Sequence, residues 1–161
     1  MAVIWVLAII LFVAGGVYGV KSNAKTKEMF TEGRIIARED LFWENGEYLY
    51  TTTPYETILE AVMQEDFTEC RVSVTPNYED GKIIAFVDKR SFSAALACYG
   101  EENGEHIYEI CFPSWNEKEL VSVSVRMNLL MTKLEKIFLS FDPDTEAEIQ
   151  ILDTKTRTSF W

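Results

Sequence analysis

Histidine occurs once in the 161 residues, at position 106, and cysteine three times, at Cys70, Cys98 and Cys111. Three cysteines without close spacing do not make a disulfide framework, so the thiols read as small buried hydrophobes of a reducing compartment. A lone histidine means that any imidazole-dependent mechanism must run through His106, which sits in the charged loop EENGEH. The phosphate-binding patterns G-x-x-x-x-G-K-[ST] and G-x-G-x-x-G are missing, as are G-x-S-x-G and H-E-x-x-H. Those absences remove the commonest nucleotide-binding and hydrolytic signatures. There is no repeat, no low-complexity tract and no Pro/Gly-rich linker to divide the chain.

Charge is absent from the first twenty residues. Ala2 to Val20 includes Ile4, Trp5, Val6, Leu7, Ile9, Ile10, Leu11, Phe12 and Val13. At 1.5 Å per residue these nineteen positions make roughly 28 Å of helix, about the thickness of a bilayer's hydrocarbon core. A secretory leader carries its positive charge before a shorter apolar region. Here Lys21, Lys25 and Lys27 follow the run instead. Lysines beside a span mark its cytoplasmic side, so residues 2–20 are expected to be a signal-anchor, with residues 21–33 a juxtamembrane linker. Gly15 and Gly19 form a G-x-x-x-G pair at the end of the span, a candidate contact for helix pairing and hence for a homodimer through the anchor.

Beyond the anchor the chain is acidic. Because the three lysines contribute to a net charge of −11, residues 28–161 carry −14. A domain of that charge is a poor partner for nucleic acid and is repelled by an anionic leaflet. Its length suits one core, and residues 34–161 are expected to form a single soluble domain.

Three turn signals suggest hairpins: Asn45-Gly46 between LFW and YLYT, Asp80-Gly81 between CRVSV and IIAFV, and Asn103-Gly104 before HIYEICF. Two helices are expected between them. Thr53 with Glu56 spells a capping box, Pro54 suits the first helical position, and Tyr55, Ile58, Leu59, Val62 and Met63 make one apolar stripe. A longer helix should run from about Asn116 to Ser140 and stop at Asp142-Pro143. Val121, Val123 and Val125 alternate like a strand at its start, while Met127, Leu130, Met131, Leu134, Ile137, Phe138 and Phe141 share a helical face. Residues 91–100 admit a strand or a short helix, with strand preferred. Residues 147–152 read as a strand, and TSFW as a further edge. The order predicts an α+β fold: an N-terminal transmembrane helix, then two layers, an antiparallel sheet packed against one long and one short helix. In outline this resembles helix-grip and related ligand-cradling folds, which end on their long helix where this chain continues.

Candidate chemistry is sparse. Cys70, Cys98, His106 and Cys111 could complete a zinc site, yet no pair has the short spacing such sites use. If Asn103-Gly104 is a two-residue loop, His106 faces Glu101 and Cys98 faces Glu109, which separates the thiol from the imidazole. Asp142, Asp144, Glu146 and Glu148 begin like a calcium loop but lack its sixth-position glycine and twelfth-position glutamate. No cofactor and no metal site is therefore expected.

The aromatic content is more informative. Trp43, Tyr50, Trp115, Phe160 and Trp161 are candidate contacts for a protein partner or an apolar ligand. The expected function is a single-pass, membrane-anchored, cytoplasm-facing domain that binds and does no chemistry, meeting membrane lipid through residues 2–27. The alternatives are a membrane-associated enzyme of unfamiliar type and an accessory structural subunit of a membrane complex.

Overall fold

The computed structural model describes residues 24–151 except 40, 68–69, 79–80 and 89–90, and leaves aside the side chains of 76–78, 81, 119–122 and 150–151. The expected anchor with Gly15 and Gly19, and the terminal Phe160-Trp161, lie outside the described residues. Among the described residues no helix is long and apolar enough to cross a membrane.

The chain divides into two compact units, Met1–Ala37 and Arg38–Trp161. In the first, residues 24–31 are helical (α1), within the segment expected to be a linker. The helix ends because Gly33 takes a left-handed φ of +64°. Its N–H returns to the Phe30 carbonyl at 3.1 Å and that of Arg34 to Met29 at 2.9 Å, which satisfies two of the last carbonyls.

The second unit contains the α+β fold. A 3-10 turn, Phe42–Glu44, leads into β1 (Asn45–Thr51), α2 (Tyr55–Gln64), β2 (Arg71–Tyr78), β3 (Gly81–Asp88), β4 (Phe92–Glu102) and β5 (Glu105–Trp115). A second 3-10 turn, Glu117–Glu119, opens α3 (Leu120–Phe141), and β6 (Glu146–Ile151) follows. The six strands make one open antiparallel sheet in the order β2-β3-β4-β5-β1-β6. The continuation past the long helix is thus an added strand beside β1.

Alternation along the strands sets which side chains face the helices. Leu49, Ile84, Phe86, Leu96, Tyr108 and Ile110 point inward and share a core with Ile58 and Val62 of α2 and Met127, Leu130, Leu134 and Phe138 of α3. Helical spacing wins over the valine alternation because Val123 falls on the same stripe as Met127 and Leu130 and is fully buried. Phe141, at the last position of α3, is half-exposed.

One turn expectation holds, one fails, and of Asp80-Gly81 only the glycine is described, as the first residue of β3. Asn103 (φ +55°) and Gly104 (φ +88°) connect β4 to β5 between Glu102 and Glu105, and β2 pairs with β3 up to Tyr78 opposite Gly81. Asn45-Gly46 is no turn. LFW forms the start of a 3-10 turn, with Leu41 as its N-cap, rather than a strand, and Asn45 and Gly46 begin β1, paired with Ile151 and Gln150 of β6. Of residues 91–100, all but Ser91 are strand, within β4.

The capping box is also absent. Pro54, in extended conformation, is the N-cap of α2, with no side-chain cap bond. Thr53 instead donates its backbone N–H to Thr51 Oγ1 at 3.2 Å, and Glu56 is drawn to Lys82. Met63 of the predicted stripe faces solvent.

Asp142 ties the exit of α3 to the end of β1. One of its carboxylate oxygens accepts from Thr51 Oγ1, Thr52 N and Thr52 Oγ1, each at 2.8 Å. These bonds favour the ionised form and hold its pKa down to about 2. The link is therefore intact above the ordinary carboxylate range and is lost only as pH falls through 2.

Candidate functional site

A single glycine lies at the rim of a hollow among the described residues. Gly100 has φ +134°, a conformation closed to side chains, and interrupts the β4–β5 ladder with a bulge. The bulge shifts the register by one residue. Glu101 still faces His106 as expected, but Cys98 lies opposite Tyr108, not Glu109. Cys98 consequently turns inward, 7% exposed, and its thiol meets the Tyr108 hydroxyl.

Around this bulge opens a hollow of about 310 Å³, lined by Tyr55 and Glu56 of α2, Lys82 of β3, Cys98, Tyr99, Gly100 and Glu101 of β4, and His106 of β5. Lys82 sits opposite Cys98 in the ladder, reaches Glu56 at 2.6 Å and lies 4.6 Å from the centre of the Tyr55 ring. That hydrogen-bonded pairing lowers the pKa of Glu56 and raises that of Lys82, so both stay charged and neutralise each other. Burial pushes the Cys98 thiol up, as it does the Tyr108 hydroxyl, which donates to the Thr53 carbonyl at 2.9 Å. A thiol held protonated is a poor nucleophile. The hollow offers aromatic walls and a self-neutralised ion pair, an arrangement suited to holding a small molecule rather than to activating one.

The outer face of the sheet carries a second group. Tyr48, Glu109 and Ala97 are aligned across β1, β5 and β4. The Tyr48 and Tyr99 rings stack with centroids 6.4 Å apart, and the Tyr99 hydroxyl donates to the Glu109 carboxylate. Glu109 is only 6% exposed, and burial together with its charge pushes the nearby Cys111 thiol up to about 12. Tyr50 lies on this face too, donating to Glu148 at 3.1 Å. Of the aromatics proposed as contacts, Tyr50 is half-buried on this outer face. Trp43 and Trp115 belong to the core, where Phe42 and Phe112 join the neighbouring ring cluster.

The four-residue zinc constellation is not assembled: among the described residues no group of three or more His, Cys, Asp or Glu side chains could hold a metal ion. None of the three cysteines forms a disulfide. At pH 8 a thiol of pKa about 12 is thiolate in about one molecule in ten thousand. Alkylation of Cys111 is therefore expected to be about 1,000-fold slower in the native protein than in denaturant, where about one thiol in ten is ionised, with Cys98 also slowed. Peptide mapping after timed iodoacetamide treatment measures this, and native labelling as fast as in denaturant would contradict it.

A third cluster escaped the sequence reading. Arg38, ahead of β1, donates through Nε to Asn128 Oδ1 at 3.1 Å and through Nη2 to Glu135 Oε2 at 2.5 Å, with Glu47 Oε2 3.8 Å from Nη1. The Arg38 and Glu47 side chains are about nine-tenths buried. Burial first, then the Glu135 charge, raises the pKa of Glu47 to about 7 despite the guanidinium. The signal was present: Glu47 occupies the inward phase with Leu49 and Thr51, and Asn128, Thr132 and Glu135 interrupt the apolar face of α3 at spacings of four and three.

No protein-family model matches the chain, and no curated protein matches it.

Proposed function

We propose that this is a single-pass membrane protein, anchored by residues 2–20, whose acidic domain sits at the cytoplasmic face and binds a protein partner or an apolar ligand without doing chemistry. The observation that carries the reading is the run of nineteen uncharged residues followed by Lys21, Lys25 and Lys27. The domain's own chemistry supports the binding half. Its buried thiols are held protonated, Lys82 is neutralised by Glu56, and a hollow of about 310 Å³ lies at the small end of ligand-pocket sizes. The binding surfaces are the hollow beside Tyr55 and Tyr99 and the outer face bearing Tyr48 and Tyr50. Gly15 and Gly19 supply a pairing face within the anchor.

Alkaline carbonate washing of membranes containing the full chain tests the anchor. The protein should remain with the lipid, and release into the wash would overturn the reading.

A further inference from the structure

Lys82 places its own ammonium group at the hollow beside Gly100. Its Nζ stands 2.6 Å from the Glu56 carboxylate and 4.6 Å from the centre of the Tyr55 ring. A carboxylate beside an aromatic face is an arrangement that holds an organic ammonium, with a charged hydrogen bond on one side and the ring's negative face on the other. One polar atom of this cradle is left over. Tyr55 is 7% exposed and lines the hollow, yet its hydroxyl has no hydrogen-bond partner among the described residues. A buried hydroxyl without a partner is costly. Lys82, tethered to β3, reaches the ring and the carboxylate but does not satisfy that oxygen.

We infer that the hollow takes a small primary ammonium compound, whose cation displaces that of Lys82 and donates to both the Glu56 carboxylate and the Tyr55 hydroxyl. This rests on the reading of the hollow as a binding surface that does no chemistry, and it narrows the occupant. Displacement is easy, because the Lys82 and Glu56 side chains are 50% and 73% exposed and an ion pair so open to water is weak. Once displaced, Lys82 extends into solvent. The surrounding charge selects a cation over an anion: Glu101 lines the hollow with Glu56, Lys82 is already neutralised, and residues 28–161 carry −14. A primary ammonium is favoured over a quaternary one, because the carboxylate and the hydroxyl both accept hydrogen bonds and need N–H groups. The carbon chain has room beside the backbone of Gly100, where a Cβ would meet nothing within 4 Å.

Calorimetric titration of the full chain in detergent micelles, with the heats of protein-free micelles subtracted, tests this. The probes are n-butylammonium chloride, tetramethylammonium chloride and butan-1-ol. n-Butylammonium should bind saturably, and about tenfold more tightly than either of the others. Lys82→Ala, which removes the internal competitor, should tighten that binding about tenfold, and Glu56→Gln should weaken it about tenfold. Tyr55→Phe keeps the buried ring and should weaken it about fivefold. Glu60→Gln, one turn along α2 and outside the hollow, removes the same charge and should change it less than about twofold. Butan-1-ol or tetramethylammonium binding as tightly as n-butylammonium would overturn the inference while leaving the hollow a binding site. Equal weakening by Glu60→Gln and Glu56→Gln would overturn it too, since the attraction would then be diffuse. So would binding confined to Lys82→Ala, which would show the cradle permanently filled by its own lysine. Saturable binding of none of the three probes, in the parent and in Lys82→Ala alike, would remove both this inference and the hollow's part in the proposed function.

Discussion

Replacing Arg38 by methionine is expected to cost about 3–5 kcal/mol of folding stability at pH 8, because it leaves buried carboxylates without their cation. Arg38 is 10% exposed and holds Glu135 at 2.5 Å and Asn128 at 3.1 Å, with Glu47 at 3.8 Å. Methionine fills much of the volume and keeps contact with the Phe42 ring, over which the guanidinium lies at 5.8 Å. The loss is therefore electrostatic rather than a cavity effect. Denaturant titration measures it, and a loss below about 1 kcal/mol would show that solvent reaches the cluster.

Glu47 should behave in the opposite sense. Its folded pKa, about 7, lies above the ordinary 4.5, so the folded state holds this proton more tightly than the unfolded chain. Its contribution is fully favourable below 4.5 and is lost as pH rises through 7. A shift of that size corresponds to as much as about 3 kcal/mol. Glu47→Gln should match the parent near pH 5, exceed its stability at pH 8 and flatten the profile between them. It should also recover part of what Arg38→Met loses. A variant less stable than the parent at both pH values would mean that the Glu47 charge is needed by Arg38.

Placing lysines at Ile10 and Phe12, near the middle of the uncharged run, is expected to move the protein off membranes. Each central lysine costs about 2.5–3.5 kcal/mol of insertion, and two together amount to roughly four powers of ten in partitioning. In a density-gradient flotation assay the parent should rise with the vesicles and the double variant should stay at the bottom. Continued flotation of the variant would mean that residues 2–20 are not what holds the protein to lipid.

The elements with long, consistent periodicity were legible in the sequence. The α3 stripe from Met127 to Phe138, the Asn103-Gly104 hairpin and the strand at 147–151 appear where their patterns put them. The failures come from contacts between positions distant in the chain. Asn45-Gly46 reads as a turn locally, but β6 supplies ladder partners more than a hundred residues away. Thr53 and Glu56 spell a capping box, yet Thr51 and Lys82 offer them other bonds.

The site was less legible than the fold for the same reason. A one-residue bulge at Gly100 moved Cys98 from the outer face to the core, and no local pattern specifies a bulge in the middle of a strand. Tryptophans look alike whether buried or exposed, and only the sheet's closure against α3 placed Trp43 and Trp115 inside. Arg38, Glu47 and Glu135 are common surface types that become a cluster only when β1 and α3 meet.

The proposed placement of the domain at the cytoplasmic face of a membrane is tested most directly by protease protection in sealed vesicles of known sidedness. With the cytoplasmic face outward, trypsin should digest the acidic domain and leave a lipid-protected fragment containing residues 2–20. With the opposite face outward, the domain should survive until detergent is added. Digestion in the second preparation and protection in the first would contradict the account.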